Sequence, residues 1–174
     1  EEARTRNLGL FQTDSLRMYP NFSPLIHTAL IDDPALEDDL SVVLRKNNGT
    51  PPADWSRDLI LDPGTSHPAI LMCAVPPPHL GNYYVPYDEI YPGRVDADGL
   101  AQLVKDRGPQ HFQRFIIDAH AGAQTPNGFT TTVAANYQRA FAEKGLRSAL
   151  TGSAFLNGCD DVSGRISIVQ SWLN

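Results

Sequence analysis

Lysine is scarce in this chain: Lys46, Lys105 and Lys144 are the only three in 174 residues. The other eleven of its 14 basic residues are arginines scattered along the sequence, and the net charge is −6. Phosphate backbones are held by clustered positive charge, so this balance argues against a nucleic-acid surface. Cysteine is nearly as rare, with Cys73 and Cys159 alone. One disulfide at most is available, and Cys73 sits inside the apolar run AILMCAV, where a thiol behaves as a small core hydrophobe. No apolar stretch approaches the ~20 residues a membrane span needs. Internal repeats, low-complexity tracts, cofactor motifs and a signal peptide are likewise missing, so no cofactor is expected. The chain opens at Glu1, which raises the expectation of a piece of a larger polypeptide. Its compartment stays unassigned, although a reduced thiol at Cys159 suits a cytosol best.

What is present is ordinary globular composition, 41% hydrophobic and 20% charged. The length suits a single domain, residues 1–174. Residues 1–34 are broken by Pro20, Pro24 and Pro34 and read as an irregular wrapping segment. Helical spacing with capping signals covers Pro34–Lys46 and Asp96–Arg107, and helical spacing alone covers Thr130–Lys144. Leu59–Leu61 is a short apolar run closed by the turn signal Asp62, Pro63 and Gly64, and apolar runs mark core strands at Ala69–Val75, Arg114–Ala119 and Ser153–Asn157, with a last strand over Arg165–Leu173. Ala69–Val75 lacks alternation, as a strand covered on both faces does, and is placed at the centre of the sheet. His79–Gly93 reads as a long tyrosine-rich loop. The expected fold is α/β: a mainly parallel sheet with flanking helices.

The stretch 113–161 carries the chemistry. Its strand-helix-strand order predicts a right-handed crossover that brings the ends of RFIIDA and SAFLN to one sheet edge. His120 follows the first run and Cys159 the second. An imidazole beside a thiol can take its proton and generate the nucleophilic thiolate. Gly122 and Gly158 leave room for backbone to approach a substrate, and nearby amides are candidate oxyanion donors.

The order "apolar strand, His, small, Gly" then "apolar strand, Gly-Cys" resembles the caspase-like clan of cysteine peptidases, which includes caspases, gingipains, clostripain and the self-cleaving protease domains of bacterial toxins. The resemblance covers Ala69 to Asp161 at the level of pattern. It implies a three-layer α/β architecture, His120 and Cys159 as the dyad, a thioester intermediate, and a peptide or protein substrate. Ala121 departs from that pattern, since the clan carries glycine directly after the histidine. Asp160 and Asp161 are candidates for recognising a basic side chain, and they also oppose thiolate formation by like-charge repulsion.

Two other classes are open. Asp118 and His120 form an Asp-x-His in IIDAHAG, similar to a stretch of the zinc amidases that cleave cell-wall peptides. No histidine follows His120, however, and Thr130, Thr131 and Thr132 stand where that family supplies a glutamate. A zinc site needs at least three protein ligands. The non-enzymatic alternative is a protein-binding module presenting the loop 79–93, with Tyr83 and Tyr84 as contact residues; both are also candidate substrate contacts for the peptidase. The plainer reading has these tyrosines lying down on the fold.

Overall fold

The structure, a computed structural model, describes residues 39–64, 67–81, 84–108, 111–126 and 130–158, all within one compact unit, Ile31–Asp160. Strand β1 (Ser56–Asp62) is its axis, third in a five-stranded sheet of order β3-β2-β1-β4-β5. Its alternation is the reason: Leu59 and Leu61 are buried on one face, with Asp58, Ile60 and Asp62 on the other. On one side β1 pairs antiparallel with β2 (Ala69–Val75), which pairs antiparallel with β3 (Val85–Ile90). On the other side it pairs parallel with β4 (Arg114–Ile117), and β4 pairs parallel with β5 (Leu156–Asn157).

The sheet is therefore mixed, which corrects the expectation of a mainly parallel one. Residues 63–68 join β1 to β2, and so short a link permits only an antiparallel return. Ala69–Val75 is not central either, and Leu71 within it is 38% exposed. The stretch 79–93 is not one loop, because β3 occupies its middle. Pro86 has no N–H to give to a ladder, and an edge strand tolerates that. Tyr87 packs against the core clusters, as the plainer reading expects.

Helix α1 (Asp39–Lys46) contributes Leu44 to a cluster with Trp55 and Ala74. Residues 34–38 of its expected span lie outside the described residues. Helix α2 (Ala97–Asp106) starts on the Asp96 carboxylate, which accepts the Gly99 N–H. After β4, Asp118 accepts the Ala121 N–H and caps a one-turn helix α3 (Ala119–Ala123). Helix α4 (Val133–Glu143) is capped by Thr132. Leu100, Ala101 and Val104 of α2 and Tyr137, Ala140 and Phe141 of α4 cover Leu59, Leu61, Ile70, Met72, Phe115 and Ile117 on one sheet face. Phe115 meets Phe141 edge to face, with ring centroids 5.2 Å apart. The expected last strand, Arg165–Leu173, lies outside the described residues.

Candidate active site at the strand ends

One register row crosses the whole sheet: Ile90 pairs with Ile70, Ile70 with Leu61, Leu61 with Ile117, and Ile117 with Asn157. β1, β3, β4 and β5 run in the same direction across this row and β2 runs against them. The next residues along the sheet therefore form a rim of Tyr91, Ala69, Asp62, Asp118 and Gly158. The helix-facing core row ends there, and alternation turns Asp62 to the opposite face from Leu61.

Within this rim the strand ends of β1 and β4 matter most. After β1 the chain turns back towards β2, whereas after β4 it leaves through α3 and α4 for β5. Connections that diverge from neighbouring parallel strands open a crevice at their carboxyl ends, where α/β sheets bind ligands. Asp62 and Asp118 stand on either side of that divergence, one strand spacing of about 4.8 Å apart along the backbone. The Asp118 N–H donates to Leu61 O at 3.2 Å, which locks the two ends together. Each carboxylate is oriented by a backbone donor: Gly64 N–H to Asp62 Oδ1 at 3.2 Å, and Ala121 N–H to Asp118 Oδ1 at 2.7 Å. Neither Oδ2 has a hydrogen-bond partner among the described residues. Carboxylates on two adjacent strand ends offer hard oxygen ligands of the kind Mg²⁺ or Mn²⁺ takes.

His120 is not delivered by a strand. β4 ends at Ile117 because the Asp118 cap and the alanines after it favour a helical turn, and His120 lies exposed in α3. The crossover itself is present, with β4 and β5 adjacent and parallel. β5 is only two residues long. The hydroxyls of Thr151 and Ser153 donate to Ala154 O and Leu146 O, holding the preceding segment in turns. The Gly158 N–H donates to Ile117 O at 2.7 Å and the Gly122 N–H to Asp118 O at 2.8 Å. Both amides are thus engaged, and an oxyanion would need other donors. Cys159, Asp160, Asp161 and Tyr83 lie outside the described residues.

Tyr84 is placed elsewhere. Its hydroxyl donates to Asp58 Oδ2 at 2.5 Å, and Arg114 grips the same carboxylate with Nε at 3.0 Å and with Nη2. Asp58 is four residues up β1 from Asp62, about 13 Å at strand rise, so Tyr84 is not brought to His120. Burial, followed by the Asp58 contact, pushes the Tyr84 hydroxyl far above its ordinary range. Cys73 pairs in register with Asp58, and burial and that carboxylate push its thiol up to about 11. It is an inert core thiol, as its apolar setting predicts.

Among the described residues no group of three or more His, Cys, Asp or Glu converges as a metal cage. Asp118 and His120 therefore do not gain a third protein ligand from those residues for a closed zinc site. The residue that sequence reasoning passed over is Asp62. Its signal is a repeat of form: LILD closes β1 as FIID closes β4, three apolar residues and then an aspartate. The chain matches no protein-family model, no curated protein and no solved structure.

Proposed function

We propose that this chain is a divalent-cation-dependent hydrolase of phosphodiester bonds, working at the rim where β1 and β4 end, with Asp62 and Asp118 as the cation's protein ligands. The observation that carries this reading is the register row through Leu61 and Ile117, which sets the two aspartates side by side where the connections diverge. Two carboxylates are too few for an all-protein cage. Mg²⁺ in particular is held by one or two carboxylates together with waters and substrate phosphate oxygens, so the ligand count points to a phosphate substrate.

Asp62 and His120 are exposed, and an open edge admits a chain-like substrate lying across it. The shortage of lysine argues against a broad basic surface, but a cation at the rim is a local positive charge of its own. When bound, it would polarise the phosphoryl oxygens and the attacking water. The water oxygen attacks phosphorus, the P–O ester bond breaks, and the departing oxygen takes up a proton. In this reading His120, two residues beyond Asp118, would take up and return the proton.

The test is cleavage of labelled oligonucleotides and plasmid DNA with Mg²⁺ or Mn²⁺, with and without EDTA. Asp62→Asn and Asp118→Asn are each expected to lower the rate at least about a hundredfold with little change in Tm. Absence of cation-dependent cleavage, or full activity in Asp62→Asn, overturns the reading.

A second reading, a cysteine peptidase using Cys159 and His120, is favoured by one observation: the parallel β4/β5 pair seats Gly158, the residue before Cys159, against Ile117. The Cys159 thiolate would attack the peptide carbonyl, the C–N bond would break with the amine leaving on a proton from His120, and water would hydrolyse the thioester to the acid and the free thiol, with Asp160 or Asp161 receiving a basic side chain. In the same assays, peptide cleavage that survives EDTA and Asp62→Asn but is lost in Cys159→Ala would place the chemistry on the thiol.

A further inference from the structure

The sheet face opposite α2 and α4 carries an apolar row of its own. Leu71 of β2 pairs with Ile60 of β1, Ile60 with Ile116 of β4, and Ile116 with Leu156 of β5, so aliphatic side chains stand abreast on neighbouring strands. Alternation sets them on the other side from Leu61, Ile70 and Ile117, which the helices cover. Helix α1 packs on Ala74, which falls on the same side as Ile70 and Met72, so no described helix lies over the row. Parallel strands such as β1, β4 and β5 are ordinarily covered on both faces. Here Leu71 is 38% and Leu156 39% exposed, with Ile60 and Ile116 half-buried between them. The charges beside the row are acidic. Glu89 pairs with Leu71 and ends the row at β3, and Asp62 and Asp118 stand on the rim two residues beyond Ile60 and Ile116. None of these three carboxylates has an ion pair among the described residues. Lys46, Lys105 and Lys144 all belong to helices of the other face or to their ends.

We propose that this row is a docking face for an amphipathic helix of another protein, apolar on one side and flanked by lysine or arginine. From Leu71 to Leu156 the row spans three strand spacings, about 14 Å. A helix covers that length in about ten residues at its rise of about 1.5 Å, so anchors at i, i+3 or i+4, and i+7 can each meet a side chain of the row. Basic residues beside the anchors meet Glu89 at one end and Asp62 and Asp118 along the rim. That charge pattern selects the occupant. A second copy of this chain would bring the same acids with it, and Arg114, the cation described on this face, is already held by Asp58. A basic partner meets only opposite charge and is steered to the face from a distance. Docking requires no cation at the rim and holds whether or not the rim hydrolyses phosphodiesters.

Binding is measured by fluorescence anisotropy on the full chain in EDTA, with a labelled helical peptide of about 14 residues, leucine on one face and lysine on the other, as probe. Its controls are a peptide of the same composition in scrambled order and one with glutamate in place of lysine. Leu71→Ser and Leu156→Ser are each expected to weaken binding of the leucine-lysine peptide roughly tenfold. Glu89→Gln, exposed on the edge strand, is expected to weaken it about threefold and to reduce its salt dependence, and it keeps the test readable should a leucine variant lose stability. Leu150→Ser, which removes a leucine 61% exposed outside the row, should bind like wild type. No binding by wild type, wild-type affinity in both Leu71→Ser and Leu156→Ser, unchanged affinity and salt dependence in Glu89→Gln, equal loss in Leu150→Ser, or equal affinity for either control peptide overturns the docking face. Sedimentation equilibrium completes the test. A wild-type dimer that Leu71→Ser or Leu156→Ser returns to monomer would assign the row to a second copy and overturn the basic partner.

Discussion

Asp58 has the most demanding environment of any described residue. Its side chain is fully buried, and an unpaired carboxylate there would cost several kcal/mol. Arg114 meets it in a fork and Tyr84 donates a third bond, so the charge is satisfied by the neighbouring strand and by the segment leading into β3. Removing only the arginine leaves the charge in place without its partner. Arg114→Ala is expected to destabilise by about 3 kcal/mol, the low end for broken buried pairs because the arginine side chain is 40% exposed. Changing both partners, Asp58→Leu with Arg114→Met, should recover most of that loss, since well-packed apolar replacements of buried pairs are often neutral. Denaturant unfolding of wild type, Asp58→Leu, Arg114→Met and the double variant measures the coupling directly. A double variant no more stable than Arg114→Ala would mean that the pair sets the register of β1 against β4 rather than merely satisfying a charge. Little of this was legible beforehand, because an aspartate in SRDLILD reads as solvent-facing until β4 and Tyr84 are known to converge on it.

At the scale of elements, capping and connection chemistry divide what supports stability from what also positions the rim. Gly64 sits directly after Asp62 and Pro63 with φ +21°, and a methyl group there would lie 2.6 Å from the His67 carbonyl oxygen. Gly64→Ala must shift the turn, and should cost about 1–3 kcal/mol while moving Asp62 and reducing cleavage. Thr132→Ala removes the cap of α4, about 1 kcal/mol, but leaves the Asp62–Gly64 turn chemically unchanged, and no change in rate per folded molecule is expected. Comparing rates after correction for the folded fraction separates the two effects; equal rates would detach the turn from function. Helices were readable in the sequence because caps and periodicity are local: Asp96 and Gly108 mark ends that the fold keeps, whereas the helix expected from Thr130 starts only at Val133, behind the Thr132 cap. Strand positions were readable as apolar runs, but their order was not. β1 was legible only as three apolar residues, and its place between β2 and β4 depends on pairings to segments distant in sequence. His120 was expected at a strand end because RFIIDAH is continuous in hydrophobicity until the Asp118 cap intervenes. The carboxylate pair stayed hidden for a related reason, since Asp62 and Asp118 become neighbours only through the parallel β1/β4 register.

At the scale of the whole molecule, the two sheet faces carry different electrostatics, and alkaline pH reads that out. Cys73 lies on the Asp58 side, where burial and that carboxylate raise its thiol from 9.0 to about 11. Tyr137 lies on the helix side, where burial, followed by the charges of Asp96 and Asp62, raises its hydroxyl from 10.0 to about 12. Both groups are neutral when protonated. Above about pH 9 the unfolded chain releases the Cys73 proton that the folded chain keeps, and above about pH 10 the same holds for Tyr137. The folded state then binds more protons than the unfolded state, so stability falls as pH rises through these windows and levels off above the folded values. Each group is worth up to about 2–3 kcal/mol across its window. Below about pH 9 neither contributes to the pH dependence. Melting temperature measured from roughly pH 8 to pH 12 should therefore decline. In the double variant Cys73→Ala with Tyr137→Phe the curve should start lower, from the lost packing at Cys73, and fall less steeply. A wild-type curve flat across this range, or a double variant with an unchanged slope, would show that the alkaline response comes from other groups. Tyr84, whose hydroxyl is bound to the Asp58 carboxylate, would be the first of those to replace by phenylalanine.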